Sequence, residues 1–385
     1  MKDKRTFPDG FYWGAATASY QVEGGIENCD WAEAGRKGRV PVCGDACDHY
    51  NRFEEDFKIA KELGHNALRI SIEWARIEPK EGEFDMREIE HYKMVLKSLH
   101  EKELMPFVTL WHFTLPQWFA DKGGFEHKDS PEIFARYCEF VVKELGQYCR
   151  HWATINEPVV YTNNSYLRKF WPPFKRSIFL YNKVFSNLVK AHKEAYKKIK
   201  DIDIACEVAI VKDNFYWHSN WNPFNMIIAS FMGWWWNRRF LNKVYQYTDT
   251  IGLNYYFHKK FGDTAQYEKS DMGWDLYPEG IYHALRELKQ YGKPLFVAEA
   301  GIADEKDVYR ADYVKNLVYW THYAIERGAD IRGFLYWSLL DNYEWAHGFE
   351  KRFGLVEIEY KTKERKVRES AWEYKKVCQS NGIMQ

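Results

Sequence analysis

The chain has 385 residues, 46% of them hydrophobic, enough to bury one large core or two smaller ones. Lys plus Arg and Asp plus Glu balance at 55 each, so no global field draws in nucleic acid or an anionic membrane. The seven cysteines include no CxxC pair and residues 1–10 lack the apolar core of a signal peptide, so reduced thiols and a cytoplasmic protein are expected.

Apolar strand-like runs recur roughly every 40 to 55 residues, with helical patterns between them. They begin near Phe11, Asn66, Met105, Trp152, Ile204, Thr250, Leu295 and Ile331. Eight such units without a linker predict an α/β fold, a single (β/α)8 TIM barrel over residues 1–385 with its active site at the strands' C-terminal ends. A doubly wound open sheet would need a glycine-rich phosphate turn after the first run, and Gly14-Ala-Ala-Thr-Ala-Ser lacks that spacing.

Between the runs, Phe53, Phe57, Ala60 and Leu63 form a helical stripe that stops at Gly64. Ser130 is expected to cap a second helix, with Pro131 in its first turn and Phe134, Cys138, Val141 and Leu145 as its buried stripe. Leu180, Val184, Leu188, Ala191 and Ala195 mark a third, ending in solvated lysines at 197–200. The apolar, Trp-rich stretch 226–236 is too short to span a bilayer. A buried barrel helix is the expectation there, with a subunit contact or membrane surface as the alternative.

Two runs end in a glutamate. His151-Trp-Ala-Thr-Ile-Asn156-Glu157-Pro158 reads as a buried strand ended by a residue without a backbone donor. Pro294-Leu-Phe-Val-Ala-Glu299-Ala-Gly301 repeats the design, with a glycine expected to let the chain turn. Paired strand-end carboxylates suit cleavage of a glycosidic bond with retention, one attacking while the other donates and recovers a proton. Cys43, Cys47 and His49 have metal-like spacing but no return pair of ligands, so neither metal nor cofactor is expected.

The motifs FYWGAATASYQVEGG, ALRISIEWARIEP, LWHFTLPQW, TINEP, IGLNYY, AEAG and YWSLLDNYEWAHGFEKRFG, in this order, make the chain resemble a family 1 glycoside hydrolase, the β-glucosidase and β-galactosidase family. SIEWARIEP, the WPPF at 171–174 and DNYEW look closest to its archaeal-type β-glycosidases. The resemblance implies a retaining exo-β-glycosidase acting by double displacement on a small-molecule β-glycoside, with glucose, galactose, mannose and fucose left open. It implies Glu299 as nucleophile and Glu157 as acid/base, with the charge of Glu299 raising the pKa of Glu157. Arg69 and Tyr256 would hold and orient Glu299, Asn156 would reach the sugar 2-OH, and Asn254 matches a support residue next to Tyr256. Gln21, His112, Glu344 and Trp345 would bind the terminal sugar's hydroxyls over the Trp337 indole.

Glu344 argues against a 6-phosphoglycosidase, and Glu157 against the glucosinolate-cleaving relatives, which lack that glutamate. Two departures stand out. The family's usual TENG is here Ala298-Glu299-Ala300-Gly301, losing two side chains that could hydrogen-bond near the nucleophile. The region 212–249 also looks shortened, which affects loops on the leaving-group side. A sugar-binding barrel with little turnover is therefore the alternative to the enzyme.

Overall fold

The computed structural model describes residues 4–384. Eight parallel strands follow one another round a closed barrel: β1 (Tyr12–Ala16), β2 (Ala67–Ser71), β3 (Met105–Trp111), β4 (His151–Asn156), β5 (Glu207–Asp213), β6 (Thr250–Tyr255), β7 (Leu295–Ala300) and β8 (Ile331–Trp337). β1 pairs with β2 on one side and β8 on the other, which closes the ring. Every expected run contains one barrel strand. Two boundaries move: the run from Ile204 becomes strand only at Glu207, and the run from Ile331 leaves the barrel after Trp337.

The main outer helices are α1 (His49–Glu62), α2 (Met86–Glu101), α3 (Ser130–Leu145), α4 (Ile178–Ile202), α5 (Pro223–Gly233), α6 (Gly280–Leu288), α7 (Arg310–Glu326) and α8 (Glu369–Ser380). Phe134, Cys138, Val141 and Leu145 of α3 are fully buried, as their helical spacing requires. Ser130 is not the cap of α3 but its first residue; its hydroxyl donates to the Phe125 carbonyl at 3.5 Å instead.

The barrel lumen is filled in layers. Tyr12, Ala67, Met105, Phe107, Phe296 and Leu335 pack its N-terminal half, and Ala153, Val211 and Ala298 form a thinner layer above. Gly252 is dictated by this crowding, because a Cβ there would sit 2.9 Å from Val211 Cγ2. A cavity of about 40 Å³ remains between these layers and Arg69. Gly301 serves packing rather than the expected turn: it has no positive φ, and a Cβ on it would lie 1.9 Å from the Trp337 carbonyl oxygen.

The expectation of a buried barrel helix at 226–236 fails. Only Ala229 and Gly233 of α5 are buried, while Phe224, Met226, Ile227, Ile228 and Phe231 are exposed, as is the following Trp234. The place against the barrel is taken by the next helix, Arg239–Val244, whose Phe240, Leu241 and Val244 are fully buried. An apolar stretch cannot show by its composition which of two neighbouring segments reaches the core first.

Candidate active site

A cavity of about 560 Å³ opens at the C-terminal end of the barrel and contains both glutamates. Each follows an irregularity in its strand. The β4–β5 register shifts between Ala153 and Asn156, and the β7–β6 register shifts between Val297 and Glu299. Such bulges re-aim side chains. Ala298 packs inside the barrel with Ala153 and Val211, so strict alternation would turn Glu299 away from the lumen. The shift lets two successive side chains point inward.

Glu157 leaves the strand in a left-handed conformation, φ 46° and ψ 58°, while its backbone N–H still donates to the Val211 carbonyl at 2.9 Å. Pro158 then opens a short helix, Pro158–Tyr166, in the position where its missing donor costs nothing. A non-glycine residue held this way costs about 1–3 kcal/mol, which the surrounding hydrogen bonds must offset.

Glu299 is 3% exposed and receives two strong donors. The Arg69 guanidinium donates to its Oε1, and the Tyr256 hydroxyl to its Oε2 at 2.5 Å. Arg69 is itself fixed, donating through Nε to Thr109 Oγ1 at 3.0 Å and through Nη2 to Asn156 Oδ1 at 2.8 Å. One buried cation thus ties β2, β3, β4 and β7 together around Glu299.

Glu157 has a different setting. Its Oε1 accepts one bond, from Asn254 Nδ2 at 2.7 Å. Burial pushes its carboxyl well above the usual range, reinforced first by Asp213 and then by Glu299, with the Asn254 bond opposing. The expected repulsion from Glu299 is present but is the smaller part. Asn254 also donates to Asn156 Oδ1 at 3.3 Å, so its amide joins Glu157 to the Arg69 network.

The remaining predicted residues also line this cavity. Gln21 donates its amide to Asn342 Oδ1 and the Tyr343 carbonyl, leaving its own Oε1 without a protein partner. His112 stacks parallel to both Trp337 and Trp345, 6.0 Å from each. Its Nε2 lies 3.4 Å from Asn156 Nδ2, its Nδ1 has no partner, and burial beside Arg69 keeps the ring neutral. Glu344 is lifted to about 8 by burial and by Glu299. All eleven predicted residues fall on this cavity or its hydrogen-bonded wall.

Sequence reasoning missed Asp213. It sits at the C-terminal end of β5, 5% exposed, directly across from Asn254 in register, and its Oδ1 has no partner. Burial raises it to about 8, and the adjacent Lys212, fully buried, falls to about 8. The available signal was position: Asp213 ends its strand at the same rim as Glu157 and Glu299. Also unanticipated is an apolar rim of Phe215, Trp217, Met232, Trp236, Phe257 and Trp274. Cys43 and Cys47, by contrast, donate to the Tyr20 and Asp341 carbonyls, and His49 pairs with Asp56.

The family model for glycosyl hydrolase family 1 matches residues 3–219 and 228–383. The chain belongs to that family. It is similar to β-glucosidase A of Acetivibrio thermocellus, with 34% identity over 99% of this chain and 100% of the relative. That alignment runs over 446 positions, so the relative carries residues that this 385-residue chain lacks. Among solved structures, a β-glycosidase from Pyrococcus horikoshii superposes with TM-score 0.94 at 35% identity, covering 100% of this chain and 97% of the other. A Thermotoga maritima β-glucosidase in complex with noeuromycin superposes at 0.92 with 31% identity, covering 98% and 100%. With both glutamates in one cavity, this family 1 chain is a retaining exo-β-glycosidase.

Proposed function

We propose that Glu299 is the nucleophile and Glu157 the acid/base, that a β-glucoside is the preferred substrate, and that residues 1–385 act as one catalytic unit. The carrying observation is the unequal provision for the two carboxylates. Glu299 has a cation and a phenol on its two oxygens, which suits a group that must be a carboxylate when it attacks. Glu157 has burial and a neighbouring carboxylate, which suit a group that must hold a proton.

In the first step a Glu299 oxygen attacks the anomeric carbon, the glycosidic C–O bond breaks, and Glu157 gives its proton to the leaving oxygen. In the second, Glu157 takes a proton from water, water oxygen bonds to the anomeric carbon, and Glu299 departs as carboxylate. Glucose is supported by the names of the relatives and by the polar edge formed by Gln21 and Glu344 beside the Trp337 indole. Ala298 and Ala300 do not weaken this reading, because the contacts to Glu299 come from Arg69 and Tyr256. All seven cysteines are free and buried, which supports a reducing location.

Azide separates the roles. On an activated aryl β-glucoside, Glu299→Ala is expected to lose turnover by about 10⁶-fold or more, and azide to restore it with an α-glucosyl azide product. Glu157→Ala is expected to lose about 10²–10⁴-fold and to give the β-azide. The same anomer from both variants would refute the assignment.

A further inference from the structure

The apolar side chains that α5 leaves outside the core form part of a larger face. Trp221 is 92% exposed, Phe224 77% and Ile227 66%, and the neighbouring first turn of α4 adds Phe179 at 84%. The two patches are joined rigidly: Tyr181 stacks on Trp235 at 5.5 Å, and Arg239 covers Trp235 while donating to Asn182 Oδ1 at 2.7 Å. The family model leaves residues 220–227 of this face unmatched.

The two segments that carry the patch hold charge of one sign even though the whole chain is neutral, with Asp263 lying beyond the N-terminal end of α5. Residues 158–193 contain no Asp or Glu and seven Lys or Arg; residues 214–248 contain no Asp or Glu and three Lys or Arg. Arg176, Lys183 and Lys243 are exposed and, among the described residues, form no ion pair. A second copy of the same face would set these unpaired cations against one another, while the neighbouring Glu126 and Glu287 already pair with Lys175 and Arg238. Anionic headgroups would neutralise them while the aromatic and aliphatic side chains enter the acyl boundary.

We propose that this face docks the enzyme on an anionic lipid surface, with α5 lying in the plane of the interface. The attachment is peripheral, since no described helix is long and apolar enough to cross a membrane. Met232 and Trp236, which line the catalytic cavity, border the same face, so docking sets the cavity mouth beside the lipid.

Co-sedimentation of the full chain with phosphatidylglycerol or phosphatidylcholine vesicles tests this. The protein is expected to pellet with phosphatidylglycerol vesicles and to be released several-fold between about 0.05 M and about 0.5 M salt. Phe224→Ser/Ile227→Asp is expected to weaken pelleting about tenfold or more, with kcat/KM on a soluble aryl β-glucoside kept within about twofold. Should that variant misfold, Arg176→Glu/Lys183→Glu serves instead, with the loss confined to anionic vesicles. The docking assignment is overturned by protein that stays in the supernatant, by equal salt-insensitive pelleting on both vesicle types, or by a dimer in sedimentation velocity that these substitutions dissociate without any vesicle binding.

Discussion

On the β7 side of the catalytic floor, Glu299 is held by Arg69 and Tyr256, and Arg69 in turn reaches Thr109 and Asn156. On the β4–β5 side, Glu157 has a single amide partner and faces Asp213, a second buried carboxyl group with an unpartnered oxygen. Both glutamates are buried to a similar degree, so burial alone does not distinguish them. The charge each one faces does. Paired groups in opposite settings are how one cavity supports an attacking carboxylate and a proton donor at the same pH.

The largest expected effect comes from erasing the cation on the Glu299 side. Arg69→Met leaves a buried carboxylate without its counter-charge and frees Thr109 and Asn156, a loss of about 3–5 kcal/mol in stability. Chemical denaturation should show that loss, together with a fall in kcat. An unchanged unfolding midpoint would mean that Arg69 does not organise the floor.

Glu344 lines the cavity beside Gln21 and Trp337; on the proposed function it hydrogen-bonds the 4-OH and 6-OH, and such bonds are worth about 1.5–3 kcal/mol when the carboxylate is ionised. Glu344→Gln should therefore lower kcat/KM for a β-glucoside by roughly one to two powers of ten, and less for a β-xyloside, which lacks the 6-hydroxymethyl group. Equal losses on both sugars would count against contact at this edge. The same variant has a stability signature. Glu344 rises from 4.5 to about 8 on folding, so the folded state binds the proton more tightly. Its contribution is full below about pH 4.5 and is lost as pH rises to about 8. In the wild type this lowers Tm toward pH 8, and in Glu344→Gln the difference between the two pH values should shrink.

The smallest effect is expected from Asp213→Asn, which removes a carboxyl group whose ionisation near pH 8 opposes that of Glu157, without removing a hydrogen bond that Glu157 accepts. Glu157 then ionises more easily, and the alkaline limb of kcat/KM moves to lower pH while the rate at the optimum changes little. An unmoved limb would leave burial alone responsible for the proton on Glu157. Because Lys212, Asp213 and Glu157 lie together, the measured limb belongs to the cluster and not to one residue.

The chain's own periodicities determined much of this molecule. Eight apolar runs spaced by helical stripes leave few ways to bury their faces other than a closed barrel, and strand-end residues in a barrel must converge at one rim. That is why Glu157 and Glu299 could be placed together from the pattern of the chain, whereas Arg69, Asn254 and Trp337 joined them only through the family resemblance. Tertiary structure alone decided the rest, because the deciding quantities act between segments distant in sequence. The register shifts that turn Glu299 inward, the bond from Asn254 to Glu157, and the pairing of Asp213 with Asn254 across β5 and β6 depend on strand pairing. The exposure of α5 likewise depended on competition for one site on the barrel. Phe240, Leu241 and Val244 filled it, and an equally apolar neighbour was left facing out.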